Sequence, residues 1–185
     1  MAVEEPPFTV EAQTSHYEIR KYSETIVAET KVAAGFEDSG NRAFRILADY
    51  IFGNNKSKSK IAMTAPVSQH ADSEKIAMTA PVTQAGSGQG FVVQFTMPHA
   101  YTKETLPEPN DSRVNIRTIP ERRVAVFKYS GTWSEKRYQE KLKEFLSILR
   151  TDGVKTVGVP VFARYNPPFI PWFLRRNEIW LEVSP

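Results

Sequence analysis

Cysteine is absent from the 185 residues, which excludes disulfides, thiolate metal sites and a cysteine nucleophile. Histidine is scarce, with only His16, His70 and His99. The first stands before a predicted strand, the second in a polar spacer and the third at a strand end, where surface histidine is the ordinary explanation. No apolar run approaches membrane-spanning length, and the leading MAVEEPPFTV lacks the basic end and apolar core of a signal peptide. A net charge of +3 is too small for a nucleic-acid-binding surface. The familiar catalytic spacings are missing too: G-x-S-x-G, H-E-x-x-H, a phosphate-cradling lysine loop and a helix-opening G-x-G-x-x-G. These absences point to a soluble, cytoplasmic protein with no nucleic acid partner and no integral membrane segment; the oligomeric state is open, with a monomer favoured. At 41% hydrophobic and 24% charged residues, the chain has the balance of one domain, 1–185, able to bury a core.

What is there begins with a repeat. KIAMTAPVSQ at Lys60–Gln69 returns as KIAMTAPVTQ at Lys75–Gln84 after the spacer HADSE. Apolar residues alternate within each copy, the period of a half-buried strand, and Pro66 and Pro81 end each run. The spacing predicts a strand-turn-strand unit that brings Met63 and Met78 close together. Methionines so placed fill a core, line a pocket or ligate a soft metal ion.

A second repetition is longer and fainter. VNIRTIPERRVAV at Val114–Val126 lies over YEIRKYSETIVAE at Tyr17–Glu29 at an offset of 97, with Arg20 over Arg117. YEIRKYSETIVAETKV reads as β-rich and broken near Tyr22–Thr25, after a loosely held lead-in over 1–15. A helix follows, announced by Gly35 and Asp38-Ser39, with Phe44, Leu47, Ala48 and Ile51 at helical spacing and Gly53-Asn54-Asn55 as stop. The same offset carries it onto a second amphipathic run, Tyr138, Leu142, Phe145, Leu146 and Leu149, capped by Thr132 or Ser134 and stopped by Asp152-Gly153. The strands FVVQFTM, VGVPVFARY and NEIWLEV complete two β-α-β-β halves, about 17–97 and 114–183, while Pro98–Arg113 reads as a long connection. The predicted fold is α+β, a curved and mainly antiparallel sheet or distorted barrel flanked by two helices.

The most informative segment is ARYNPPFIPWFLRRNEIWLEV. Its prolines stiffen an extended loop, and Tyr165, Phe169, Trp172 and Phe173 crowd aromatic surface beside Arg175 and Arg176. Rings next to guanidinium groups suit a flat, apolar, anionic molecule. In an extended segment the two arginines point to opposite sides.

These residues carry a family resemblance. YEIRKY at Tyr17–Tyr22, FGNN after the first helix, both KIAMTAPV copies, ETLPEPND, YNPP and RRNEIWLEV make the chain resemble the SOUL heme-binding protein family over nearly its full length. The resemblance implies binding of heme or another tetrapyrrole in an apolar cleft beside the first helix. The expected border is Phe44, Leu47, Ala48 and Ile51 of that helix, Met63 or Met78, and Tyr165, Phe169 and Trp172. Arg42, Arg45, Arg175 and Arg176 are then candidates for the propionates. Some animal members carry a histidine, proposed as axial ligand, where this chain has Lys21. A protonated, hydrated lysine is a poor ligand, so the resemblance points to hydrophobic retention. Alternatives are an enzyme that removes the metal from heme, and an effector-binding module for apolar organic molecules like those of the gyrase-inhibitor type.

Overall fold

Period-two alternation and two amphipathic runs account for the layers of the computed structural model, which describes residues 3–58 and 73–184. In chain order the elements are β1 (Phe8–Gln13), β2 (Glu18–Tyr22), β3 (Thr25–Val32), α1 (Phe36–Ile51), β4 (Asn55–Lys56), β5 (Val82–Ser87) and β6 (Gly90–Thr96). There follow β7 (Glu108–Pro109), β8 (Asn115–Ile119), β9 (Arg122–Tyr129), α2 (Glu135–Thr151), β10 (Thr156–Arg164), a 3-10 turn (Trp172–Leu174) and β11 (Asn177–Val183). Nine strands form one curled antiparallel sheet in the order β1-β2-β9-β11-β10-β5-β6-β3-β8, and β4 and β7 pair apart from it. Exchanging β2 with β8, β3 with β9, β5 with β10 and β6 with β11 turns the order after β1 into its own reverse. At the offset of 97, Glu18–Tyr22 falls on Asn115–Ile119 and Thr25–Val32 on Arg122–Tyr129. The central pair of this arrangement is β5 against β10, with Phe162 opposite Gln84 and Arg164 opposite Val82.

Both helices lie on one face of the sheet. Ala43, Leu47 and Ile51 of α1 pack with Ala28, Val93 and Phe95 in a first core. Phe145 and Leu149 of α2 pack with Ala125, Phe127 and Ile179 in a second. The pleat sends alternate residues the other way, so Val124, Val126, Ala163 and Trp180 form a third cluster on the helix-free face. The helix starts meet over the central strands, where Phe36 stacks on Tyr138 at 4.9 Å and on Phe162 at 5.5 Å. Ser134 caps α2 as expected, accepting from the Arg137 amide. Helix α1 starts earlier than Asp38-Ser39 suggests, at Phe36, because the buried Ser39 hydroxyl bonds back to the Phe36 carbonyl inside the first turn.

Three expectations need correction. The lead-in is not loose throughout, for Phe8–Gln13 pairs with β2 as an edge strand. The first KIAMTAPV copy, with Met63, lies outside the described residues, and the second forms strand only from Val82. Before that it straps across other elements by single backbone bonds, Ile76 to the Ile51 carbonyl and Ala80 to the Glu4 carbonyl. Pro81, with no N–H to give, keeps the ladder from starting sooner. The connection over 98–113 is more than a link: it carries β7 and buries Leu106 in the first core.

The helix-free face at the β2 end is fastened by a fully buried ion pair. Arg20 and Glu178 have no exposed side-chain surface and meet through two hydrogen bonds of 3.1 and 3.2 Å. Glu178 also accepts from the Tyr165 hydroxyl at 2.6 Å, the Trp180 indole at 2.8 Å and Arg176 at 2.9 Å. Phe8 of β1 closes the cluster, its ring centre 4.3 Å from the Arg20 guanidinium. Burial by itself would raise the Glu178 carboxyl, but the Arg20 charge and the Tyr165 hydrogen bond outweigh it and hold the group below its ordinary range. Burial pushes Tyr22, which accepts from Arg20, up to about 12. Arg117, the counterpart of Arg20 at the 97 offset, instead lies 60% exposed and 3.7 Å from Glu29.

Replacing Glu178 by Gln leaves a buried guanidinium without its charge partner, and urea unfolding at neutral pH is expected to show a loss of about 3–5 kcal/mol. Because the folded pKa is depressed, the wild-type advantage is present above the unfolded value near 4.5 and lost as pH falls through the folded one. The deficit of Glu178→Gln therefore narrows below that point. A deficit independent of pH would contradict an ionised Glu178.

Candidate functional site

The connection between β10 and β11 is tied by its own hydrogen bonds and leaves its aromatics outside. Tyr165 and Arg176 close its base with a backbone bond, and Asn166 accepts from the Arg176 amide at 2.6 Å. Arg175 turns inward on the loop itself, donating to the carbonyls of Ile170 and Pro168 at 2.7 Å each. Its guanidinium also lies 4.3 Å from the Trp133 ring centre. With the backbone held in this way, Phe169 is 81% exposed, Trp172 57%, Phe173 58% and Leu174 64%. Each such side chain forgoes part of the about 1.5–3 kcal/mol that full burial supplies, and exposed apolar patches are characteristic of interaction sites.

The two loop arginines face opposite sides, as an extended segment requires. Arg176 pairs with Glu178 and Glu5 and lies 3.7 Å over the Tyr165 ring. Its charge is satisfied within the fold. Tyr165 is likewise engaged, through its hydroxyl, with Glu178.

The predicted border residues are not brought together. Leu47, Ala48 and Ile51 are buried in the first core at 0%, 8% and 1% exposure, since their face of α1 covers β3 and β6. Met78 packs partly buried against the same core, and Met63 falls outside the described residues. Phe44 alone of the predicted helix set offers surface, 38% exposed with its ring 5.4 Å from Phe95. Phe169 and Trp172 stand in the exposed patch, away from that core. Lys21 pairs with Glu121 at 2.9 Å, and that hydrogen bond raises its pKa, opposite to what metal ligation needs. His16 is exposed, His99 pairs with Glu4, and His70 lies outside the described residues.

The loop joins α1 through residues that sequence reasoning missed. Trp133, under Arg175, borders a cavity of about 250 Å³ together with Phe36, Glu37, Asn41, Gln84, Ser134 and Arg164. Asn41 precedes Phe44 by three residues and Arg45 by four, so all three share one helix face. Arg175 of the loop thus meets Trp133, and Trp133 borders the cavity that Asn41 of α1 also lines. The available signals were Gly40 inside an otherwise regular amphipathic helix and Trp133 just before a cap. On the helix-free face a separate groove of about 490 Å³ has Val92, Val124, Val161 and Trp180 among its lining, with Arg117 and Glu121 nearby. A third cleft, about 440 Å³, lies under the N-terminal segment near Thr79, Met97, His99 and Tyr101.

A sequence profile described as SOUL heme-binding protein matches residues 3–182. The chain belongs to the SOUL heme-binding protein family. Among relatives of this SOUL protein, human Heme-binding protein 2 is 33% identical, covering 97% of this chain and 86% of its own, and the mouse Heme-binding protein 2 is 31% identical, covering 95% and 82%. Solved structures share the fold at low identity. The EcmrR C-terminal domain superposes with a TM-score of 0.62 at 11% identity, over 91% of this chain and 98% of its own. SAV2435 bound to tetraphenylphosphonium gives 0.51 at 14%, over 91% and 93%. Among the described residues no helix is long and apolar enough to cross a membrane.

The distinction between core and surface is measurable. Leu47→Ala is expected to lower unfolding free energy by about 2–5 kcal/mol, whereas Phe169→Ser should stay within about 0.5 kcal/mol of wild type. Equal losses would mean that Phe169 is packed in the fold.

Proposed function

We propose that this SOUL protein binds heme or a related tetrapyrrole as cargo, for carriage or buffering, at the seam between the aromatic loop and α1. The reading is supported by the family profile and by the names of the human and mouse relatives. The observation that carries the location is the rigid, exposed set Phe169, Trp172, Phe173 and Leu174. Their side chains suit the flat face of the ligand, Phe44 extends the apolar surface, and Arg42 and Arg45 offer exposed cations on the helix. With Lys21 paired to Glu121, retention rests on apolar area rather than a metal bond. Burying about 300 Å² at about 25 cal/mol/Å² yields roughly 7 kcal/mol before association costs. A cytoplasmic monomer and an internal duplication of about 17–97 and 114–183 belong to the same reading. The palindromic strand order supports the duplication.

A second reading, an effector-binding module for apolar organic molecules, attaches to the helix-free groove with its Trp180 and valine lining. The third, removal of the metal from heme, shares the proposed site. One titration with hemin separates the three. A stable shifted spectrum supports carriage, conversion to metal-free porphyrin supports the enzyme, and no change favours the effector module.

The paired variant Phe169→Ser/Trp172→Ser is expected to weaken hemin binding by about five- to thirtyfold, on the order of 1–2 kcal/mol of lost apolar contact. His16→Ala and His99→Ala should match wild type. Loss of binding in a histidine variant, with the loop variant unaffected, would overturn this location.

A further inference from the structure

Arg164 ends β10 on the helix face of the sheet and projects into the cavity of about 250 Å³ where α1 and α2 begin. Among the described residues its guanidinium has no hydrogen bond and no ion pair; it has only two ring neighbours, Trp133 at 5.3 Å and Phe162 at 5.9 Å. Burial pushes its pKa down to about 10. Every other arginine near the loop is satisfied or hydrated: Arg176 by Glu178 and Glu5, Arg175 by loop carbonyls, Arg42 and Arg45 by solvent.

The surroundings make an unpartnered cation there costly. Two helices point their N-termini at this place, each equivalent to roughly half a positive charge, and the Phe36–Tyr138 stack holds them together. Glu37 lines the same cavity, but its carboxylate accepts from the Glu135 amide at 3.2 Å and serves as a cap for α2. Gln84 spends its amide on the Phe36 carbonyl and the Ser39 hydroxyl. Gly40 is the remaining clue. A Cβ at that position would sit 2.7 Å from one Arg164 terminal nitrogen and 3.2 Å from the other. Glycine costs about 1 kcal/mol in a helix interior, and here it admits the guanidinium.

We propose that Arg164, with the Asn41 amide beside it, forms a carboxylate-binding subsite at the paired helix N-termini. Resting on the tetrapyrrole reading above, it receives a propionate of the ligand whose flat face lies on the aromatic loop. The cavity is below the roughly 300–1,000 Å³ of pockets that enclose whole ligands, so it takes an acidic arm and not a ring system. Planar bidentate recognition is what a guanidinium offers a carboxylate, and pairing offsets the cost of a half-buried charge that has no partner.

The test uses the full chain, its Arg164→Met variant, and Gly40→Ala, in which the new methyl displaces the guanidinium while helix propensity rises. Hemin and hemin dimethyl ester, whose carboxylates are masked, are titrated into each by absorbance. Wild type is expected to prefer the free acid by about tenfold, and both variants should lose that preference while keeping affinity for the ester. A preference retained in both variants overturns the proposal. 3-Phenylpropionate, followed by the Trp133 indole resonance, tests the subsite without heme. A saturable shift in wild type, lost in both variants, supports a site for free carboxylates even where hemin fails to bind and the tetrapyrrole reading falls. No response to either acid in wild type overturns the subsite.

Discussion

The buried pair Arg20–Glu178 fixes more of this molecule than any other contact. Two charges without solvent are held only because they pair with each other and are hydrogen-bonded by Glu18, Tyr22, Tyr165, Trp180 and Arg176. Glu178 takes donors from four side chains of β2, β11 and the aromatic loop. Arg176 is drawn inward by that carboxylate and by Glu5, so its neighbour Arg175 must face the other way, onto Trp133. The loop between them then has one course open to it, and its rings are left in solvent.

From this constraint the two faces of the sheet acquire different characters. The helix face is filled by two cores, and a cavity opens between them at the junction of the helix starts. The helix-free face carries the ion-pair cluster at one end and an open groove along the rest. The family relatives are named for heme, whereas SAV2435 was solved with tetraphenylphosphonium. A shared fold does not choose between ligands, and the chemistry must be read from side chains. The unpaired Arg164 stands on the helix side of the molecule, where Arg175 of the aromatic loop also reaches Trp133.

Much of the architecture was legible as pattern. The break at Ser23–Glu24, the Ser134 cap and the Gly153 stop follow from local chemistry, and the offset of 97 read in the sequence carries the range of β2 onto β8 and of β3 onto β9. What stayed hidden depends on distance in sequence. Nothing local pairs Arg20 with a glutamate 158 residues away, and helical spacing cannot tell a face buried on a sheet from one bordering a ligand. Leu47 and Ile51 satisfy both descriptions and belong to the first. The alternation in Lys75–Val82 is that of a strand, yet single bonds to Ile51 and Glu4 take the place of a ladder. Arg164 looked unremarkable in VFARY because its meaning comes from two helix ends that converge on it.

Amide hydrogen exchange with and without hemin tests most directly whether the ligand lies at the seam of the aromatic loop and α1. Slowed exchange is predicted in residues 166–176 and around Asn41–Arg45, with β5, β6 and β8 unchanged. Protection confined to those strands on the helix-free face, with the loop exchanging as before, would contradict it.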